Sequence, residues 1–436
     1  MNADATASSA GSVLPVWRDP VAWAKTADIL AVLIALSLPW STSLVAIFAA
    51  AWLVTVAPTL DIRLFLQSLK RPICALPIAL FALAVAGTLW SDAAWGVRLH
   101  GIGPTAKLLM LPVLFYHYER SSRGMWVFAA FLGSCTLLMA MSWIVAFDPG
   151  LSLKPRLEAE RGIFVKNYID QSQEFALCAV TLAYPIVTLL RAGRVWLALL
   201  LSAIAVSFVV NMAFVVVSRT ALVTMPIMLA VFALLHLKWR SVVIILCVTT
   251  VFAGLAWAAS PQLRRTGETF MRDYRLYKEQ NTPTSIGLRL EFWKKSLRFF
   301  TEAPIAGHGT GSTRGLFEQA AVGNVGGATA EVIGNPHNQT LNVAVQWGVI
   351  GIVVLYAMWL LHLLLFRGDG LVAWIGLLVV VQNIFTSLFN SHIFDFHEGW
   401  MYVLGVGVAG GMLLKTSSLE TSLEPVKFRG WLALGR

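Results

Sequence analysis

Apolar stretches long enough to cross a lipid bilayer recur from near one end of this chain to the other. No other property of the sequence constrains its fold as tightly. A helix crossing about 30 Å of hydrocarbon needs roughly 20 apolar residues. Twelve stretches answer to that description: 24–41, 43–58, 72–90, 101–118, 124–147, 172–190, 195–217, 220–237, 241–259, 340–366, 371–389 and 399–414. They are continuously apolar and do not alternate at a period of two, which predicts helices and not barrel strands. Pro39, Pro58, Pro104 and Pro112 lie in or beside the first, second and fourth, and Lys107 sits in the fourth, so these are the segments most open to interruption. Of the 436 residues, 57% are hydrophobic and 13% charged, where ordinary soluble domains have about 45–50% and about 25%. That charge density cannot cover a water-facing surface. A soluble domain, a disordered or fibrous chain and, despite the net charge of +10, a nucleic-acid-binding domain are all excluded. The expected class is an all-α polytopic membrane protein.

Lysine and arginine in the short connections predict the orientation. They gather at one set of alternate loops: Arg63, Lys70 and Arg71; Arg120 and Arg123; Arg191 and Arg194; Lys238 and Arg240; Arg367. Lys415, Lys427, Arg429 and Arg436 follow in the C-terminal tail. The opposite loops, at 42, 91–100, 218–219 and 390–398, hold only Arg98 and Arg219. Both termini are therefore expected in the cytoplasm. The organisation that follows is a tail at 1–23, nine spans within 24–259 with an outer loop at 148–171, a large outer loop at 260–339, three spans within 340–414 and a tail at 415–436. The first 20 residues show no basic region leading into a short apolar segment, so no cleavable signal is expected. Cys74, Cys135, Cys178 and Cys247 fall inside apolar runs and predict small core- or lipid-facing residues, not a disulfide framework.

The loop at 260–339 carries ten Lys/Arg against seven Asp/Glu. An excursion of that length between membrane helices is usually a functional element. Within it, apolar residues at 288, 292, 293, 297 and 300 are spaced for a helix. With Arg289, Lys294, Lys295 and Arg298 elsewhere on its surface, such a helix either lies at the lipid headgroups or caps the bundle as a solvated element.

Few residues are placed to do chemistry. His337, in Gly334-Asn-Pro-His-Asn-Gln-Thr-Leu341, immediately precedes an apolar run on the outer face. Imidazole at such a boundary can accept a proton from a hydroxyl, although a histidine there can also simply top a helix. Asn338 is suited to cap the next helix. Arg219 lies where two apolar runs meet, a depth at which charge is costly and tends to be functional. Its guanidinium binds phosphate oxygens bidentately, or else snorkels to headgroups. Arg289, and Arg156 and Arg161 in the 148–171 loop, are further cationic candidates among several basic neighbours. Ser391-His-Ile-Phe-Asp-Phe-His-Glu398 contains His392, Asp395, His397 and Glu398, which could ligate a metal but lack a second matching half, so structural hydrogen bonding is favoured. Gly307-His-Gly-Thr-Gly311 follows no strand and is weak as a nucleotide site, and its His308 has a poorer claim than His337. No phosphate-binding loop, dinucleotide fingerprint, HExxH or cysteine metal spacing is present.

The order of these features resembles a known signature. Arg289-x-Glu-Phe-Trp, then Ala303-Pro-Ile-Ala-Gly-His-Gly-Thr-Gly311, then His337-Asn-x-x-Leu-x6-Gly348-x-x-Gly351 is similar to the pattern of the O-antigen ligase and polymerase superfamily. Ser218-Arg219-Thr220 resembles that family's segment at a helix end, and Arg161-Gly-Ile-Phe-x-x-Asn167 its looser motif after the fifth helix. Twelve helices with one large late periplasmic loop is also that family's layout.

The resemblance implies a GT-C-like glycosyltransferase in the bacterial inner membrane with a periplasmic active site. It would move O-antigen from an undecaprenyl-diphosphate-linked donor to the lipid A–core oligosaccharide. Relatives polymerise lipid-linked repeats or glycosylate pilins, and motif resemblance does not separate these from a ligase. A transporter or flippase is the more remote alternative, disfavoured because charge concentrates in two outer loops. Catalytic roles carry over to Arg219, Arg289 and His337, with Arg156, Arg161 and Asn338 as candidate substrate contacts. Gln346 departs from the family, in which a glutamate is common at that place. No cofactor and no metal are expected, because arginines can supply the positive charge that a diphosphate leaving group needs. Membrane lipids, and no nucleic acid, complete the expected partners.

Overall fold

The computed structural model describes residues 19–152, 162–216, 218–324 and 326–423. The described residues contain helices and no strand. In chain order the helices are α1 (Pro20–Ser37), α2 (Thr42–Val56), α3 (Ile62–Leu69), α4 (Pro72–Ala86), α5 (Trp95–Ala106), α6 (Met110–Tyr118), α7 (Gly124–Phe147), α8 (Tyr168–Thr181), α9 (Ala183–Arg191), α10 (Val195–Phe214), α11 (Arg219–His236), α12 (Trp239–Ala259), α13 (Pro261–Gln280), α14 (Ser285–Glu302), α15 (Thr313–Ala321), α16 (Gln339–Leu365), α17 (Leu371–Thr386) and α18 (Phe396–Leu423).

Every one of the twelve apolar stretches carries helix, but fewer elements pass a strict test for crossing. Among the described residues, six helical segments are long and apolar enough, or seven if α3 and α4, bent by 80° from one another, form one span. The 101–118 stretch is broken into α5 and α6 by a short turn at Lys107–Leu109, beside Pro104 and Pro112. The 172–190 stretch breaks at Leu182. Pro185 has no N–H to donate to the Thr181 carbonyl, and Trp374 Nε1 occupies that carbonyl at 3.3 Å.

Capping residues start several helices. Asp19, Ser41, Asn167, Ser260, Thr284 and Asn338 each accept a backbone N–H from the first turn. Large side chains including Trp52, Tyr118, Phe175, Phe208, Trp347 and Trp374 fill the interior of the bundle. Three of the four cysteines are buried and Cys247 is exposed, and all four are free thiols.

The chain runs back and forth, which sorts its connections between two ends. At one end Ser260 binds the Ala213 carbonyl at 2.9 Å, Gly162 lies against Val215, and Gln339 N donates to Ser387 O at 2.9 Å. At the other end Arg71 pairs with Glu119 at 2.9 Å, Lys415 Nζ reaches Arg120 O at 3.2 Å and Arg191 reaches His236 O at 3.3 Å. Helices α13 to α15 all belong to the first end. Arg71, Arg120 and Arg191, from three of the basic loops, make their contacts at the second.

Candidate active site

The 260–339 segment folds as a helical layer on the first end. Asn281 closes α13 with φ of 52°, and its side chain binds Thr329 through Nδ2 at 2.8 Å, so the far part of the segment returns to it. Helix α14 buries Gly287, Glu291, Phe292, Lys295, Ser296 and Phe299, whereas Leu297 is 56% exposed. The expected apolar face at 288, 292, 293, 297 and 300 holds for Leu288, Phe292 and Trp293, which join the small core, and is corrected at Leu297, because the helix packs on α13 and α16. Phe292, Phe299, Phe317 and Val345 form a small core there. Lys295 is drawn into this layer and donates to Thr329 O at 2.5 Å, with burial lowering its pKa. Glu291 accepts a hydrogen bond from the Tyr277 hydroxyl at 2.8 Å; burial and that bond push Tyr277 up to about 12, so it remains a donor. Of the two placements expected for this helix, the cap on the bundle describes its packing.

Beneath it, the glycine-rich stretch 307–311 is a joint and not a phosphate cradle. His308 N donates to Val345 O at 2.9 Å, Gly309 N to Gln346 O at 2.8 Å and Thr310 N to Gly87 O at 2.9 Å. Gly311 N donates to Gln346 Oε1 at 2.9 Å, and His308 Nε2 reaches Phe299 O at 2.8 Å. Four consecutive donors are thereby spent on α16 and the end of α4. The partner surface is a kink in α16 at Gly348, with φ of 60° and ψ of −153°. There Val349 N donates to Pro304 O at 2.8 Å, and a Cβ at 348 would stand 2.3 Å from Ile305 O. Gln346 also donates from Nε2 to Asn342 Oδ1 at 2.8 Å. Both halves of its amide are used, so a carboxylate could replace only the accepting half.

His337 sits on the turn that enters α16. Its φ is 53°, a left-handed conformation that costs a non-glycine residue of order 1 kcal/mol or more. Asn335 holds the turn, its Oδ1 accepting from His337 N at 2.9 Å and from Ser391 Oγ at 2.7 Å. The imidazole lies face to face with Phe292, with ring centroids 6.1 Å apart and planes 28° apart. Its Nδ1 is 2.7 Å from Asn390 Oδ1. The ring is partly exposed.

The other expected residues divide into three groups. Arg289 lies on α14 three residues before Phe292, the residue that stacks on His337, and residues so spaced share a helix face. Arg219 opens α11, after the buried, extended Ser218, and Gly162 lies against Val215 just before that junction. Asn338 caps α16, its Oδ1 accepting from Leu341 N at 3.0 Å and its Nδ2 donating to Leu388 O at 3.1 Å. Arg156 and Arg161 lie outside the described residues.

The 391–398 cluster is more extensive than its sequence suggests. His392 Nδ1 lies 3.4 Å from both Asp395 Oδ2 and Glu398 Oε1. Burial opposes charge on His392, but Glu398 and Asp395 raise it to about 9. These three side chains could by their spacing hold a cation. As arranged, they neutralise one another, and Lys107 adds a positive charge by donating to Phe394 O at 3.2 Å and to Asp395 O. That explains the lysine inside the fourth apolar stretch. Beside them Lys166 Nζ meets His397 Nδ1 at 2.6 Å, and His397 Nε2 pairs with Glu174 at 2.7 Å. Sequence reading singled out none of Asn335, Asn390, Lys166 or Glu174 as partners. An Asn-Pro-His-Asn turn hints at Asn335, but nothing local announces the rest.

Residues 204–356 match the family described as O-antigen ligase. That span opens before Ser218-Arg219, contains α14 and the glycine joint, and closes beyond His337 and the Gly348 kink. Over this stretch, about a third of the chain, the protein is similar to the O-antigen ligase family. That similarity points to a function of the ligase or polymerase type, and the apolar helices have the length and composition of a multi-pass membrane protein. No curated protein matches the chain at the significance required.

Proposed function

We propose that the protein is an O-antigen ligase: a glycosyltransferase that moves O-antigen polysaccharide from undecaprenyl diphosphate to a sugar hydroxyl of lipid A–core. In this reading twelve GT-C-like spans place both termini in the cytoplasm of a bacterial cell. The His337 end, with the 260–339 layer, then faces the periplasm. The observation that carries the reading is the His337 turn. One ring nitrogen is engaged within the fold, the ring is partly open, and a helix bearing Arg289 covers it.

The acceptor oxygen attacks the anomeric carbon of the donor sugar as the bond from that carbon to the diphosphate oxygen breaks. The acceptor proton passes to His337 Nε2, and the departing undecaprenyl diphosphate keeps the electron pair. One displacement inverts the anomeric centre. Charge grows on the leaving oxygen, where Arg219 and Arg289 supply fixed positive charge without a metal. A donor of this kind aimed at developing charge is worth about 2.7–4 kcal/mol. An apolar cavity of about 260 Å³, lined by residues including Leu38, Phe128, Phe131, Leu177, Ile375 and Met401, offers the lipid tail a place within the bundle.

The test is reconstitution of the purified protein with undecaprenyl-diphosphate-linked glycan and lipid A–core, in the presence of EDTA. Glycan is expected on the core, and Arg289→Ala is expected to weaken both donor binding and transfer. Elongation of the lipid-linked donor in place of core modification would assign the protein to the polymerases. Activity that EDTA removes and a divalent ion restores would overturn the metal-independent step.

A further inference from the structure

We propose that Asn390, anchored by Asp395, is the positioning residue that sets the tautomer and orientation of His337. The inference rests on the reading of His337 as the base. Asn390 Nδ2 donates to Asp395 Oδ2 at 2.7 Å, and Asn390 Oδ1 lies 2.7 Å from His337 Nδ1. An ionised carboxylate can only accept, so it selects the amide orientation in which NH2 faces Asp395. The amide oxygen then faces the imidazole and can itself only accept. His337 Nδ1 must therefore carry the proton, and the ring's lone pair is left on Nε2.

Two further constraints hold the ring in place. Phe292 stacks on one face, and the left-handed turn held by Asn335 aims the side chain. The anchor is also fixed. Asp395 N donates to Ser391 O at 3.0 Å, and Lys107 staples the Phe394 and Asp395 carbonyls from the α5–α6 break. Charged groups on the anchor side are His392, Glu398 and Lys107, while Arg289 lies on the helix that covers the ring. A neutral amide as the orienting group has a consequence for chemistry. It fixes the proton on Nδ1 without placing a full negative charge beside the ring. The pair's separation of 53 positions in the chain puts this arrangement beyond any local motif.

The experiment compares His337→Ala, Asn390→Ala, Asn390→Asp and the double variant Asn390→Asp/Asp395→Asn. Donor binding and transfer from undecaprenyl-diphosphate-linked glycan to lipid A–core are followed against pH in the full-length protein. Asn390→Ala is expected to lower transfer about 10-fold or more with donor affinity unchanged, because the ring loses its tautomer. Asn390→Asp sets two carboxylates against each other. The double variant restores both hydrogen-bond directions, so it should recover activity over Asn390→Asp. Its acid limb should move to higher pH by about one unit or more, because a carboxylate now faces Nδ1. A merely structural role would not move that limb. If Asn390→Ala fails to fold, the two aspartate variants carry the test. Normal transfer by Asn390→Ala beside an inactive His337→Ala, or a double variant with an unmoved limb, overturns the positioning role alone. Normal transfer by His337→Ala overturns the base and the positioning role together.

Discussion

The glycine joint at 303–311 and the His337 turn are neighbours on α16, equally dense in family motif, and built to opposite ends. In the joint, successive backbone donors and the His308 ring are spent on Val345, Gln346, Gly87 and Phe299. At the turn, polar partners hold the backbone and one ring nitrogen, and the ring stays partly open. Motif density therefore does not distinguish packing from chemistry here. What distinguishes them is whether hydrogen-bonding capacity is used up inside the fold. A saturated loop cannot cradle a phosphate, because a ligand would have to displace bonds worth about 0.5–1.5 kcal/mol each.

The sharpest way to break this contrast is His337→Ala. Removing a general base typically costs about 10²–10⁴-fold in rate, so transfer should fall by that factor while donor binding and melting temperature stay near those of the unaltered protein. A stability loss with transfer per folded molecule preserved would move His337 into the same class as the joint.

Gly348→Ala tests the other side and should do the reverse. Its backbone conformation is one that essentially only glycine adopts, and the added Cβ would meet Ile305 O at 2.3 Å. Strain of about 1–3 kcal/mol, plus the clash, should lower the melting temperature in detergent by several degrees. Transfer per folded molecule should change less than the His337 variant's. Unchanged melting would show that the kink is not needed for docking of 303–311.

The smallest effect is expected from pH, at the anchor of the His337 turn. His392 is raised to about 9 by Glu398 and Asp395 in spite of its burial. A histidine raised above its ordinary value of about 6.5 contributes stability that is fully present below that pH and is lost as pH climbs towards 9. The melting temperature should therefore decline between about pH 6.5 and 9 more steeply than in His392→Gln, which cannot titrate. Parallel declines in both proteins would remove this cluster from the stability of the turn.

How far these features were legible in the sequence varied with their range. Helix α14 and most of its apolar face were visible from apolar spacing, but the inward turn of Lys295 and Glu291 to Thr329 and Tyr277 was not. Spacing records which residues share a face and not which neighbour will satisfy a buried charge. Lys107 read as a fault in an apolar run until its partners, nearly three hundred residues away, explained it. Gln346 read as a missing acid, while its amide joins Gly311 to Asn342.

The sequence by itself determined that the chain is built of apolar helices, six or seven of them long enough to cross a membrane, and where most of them begin and break. These follow from local rules: continuous apolar runs, capping side chains before first turns, and prolines that cannot donate. It also put Arg219, Arg289 and His337 within the stretch that is similar to the O-antigen ligase family. Only the tertiary structure decided which nitrogen of His337 is engaged, which glycines are joints, and which acids face which bases. Those outcomes depend on pairs such as His337 with Asn390 and Lys166 with His397, brought together by packing of helices distant in the chain. A hydrogen bond is fixed by position and direction within a few tenths of an ångström, and residue type and spacing along one helix cannot supply that.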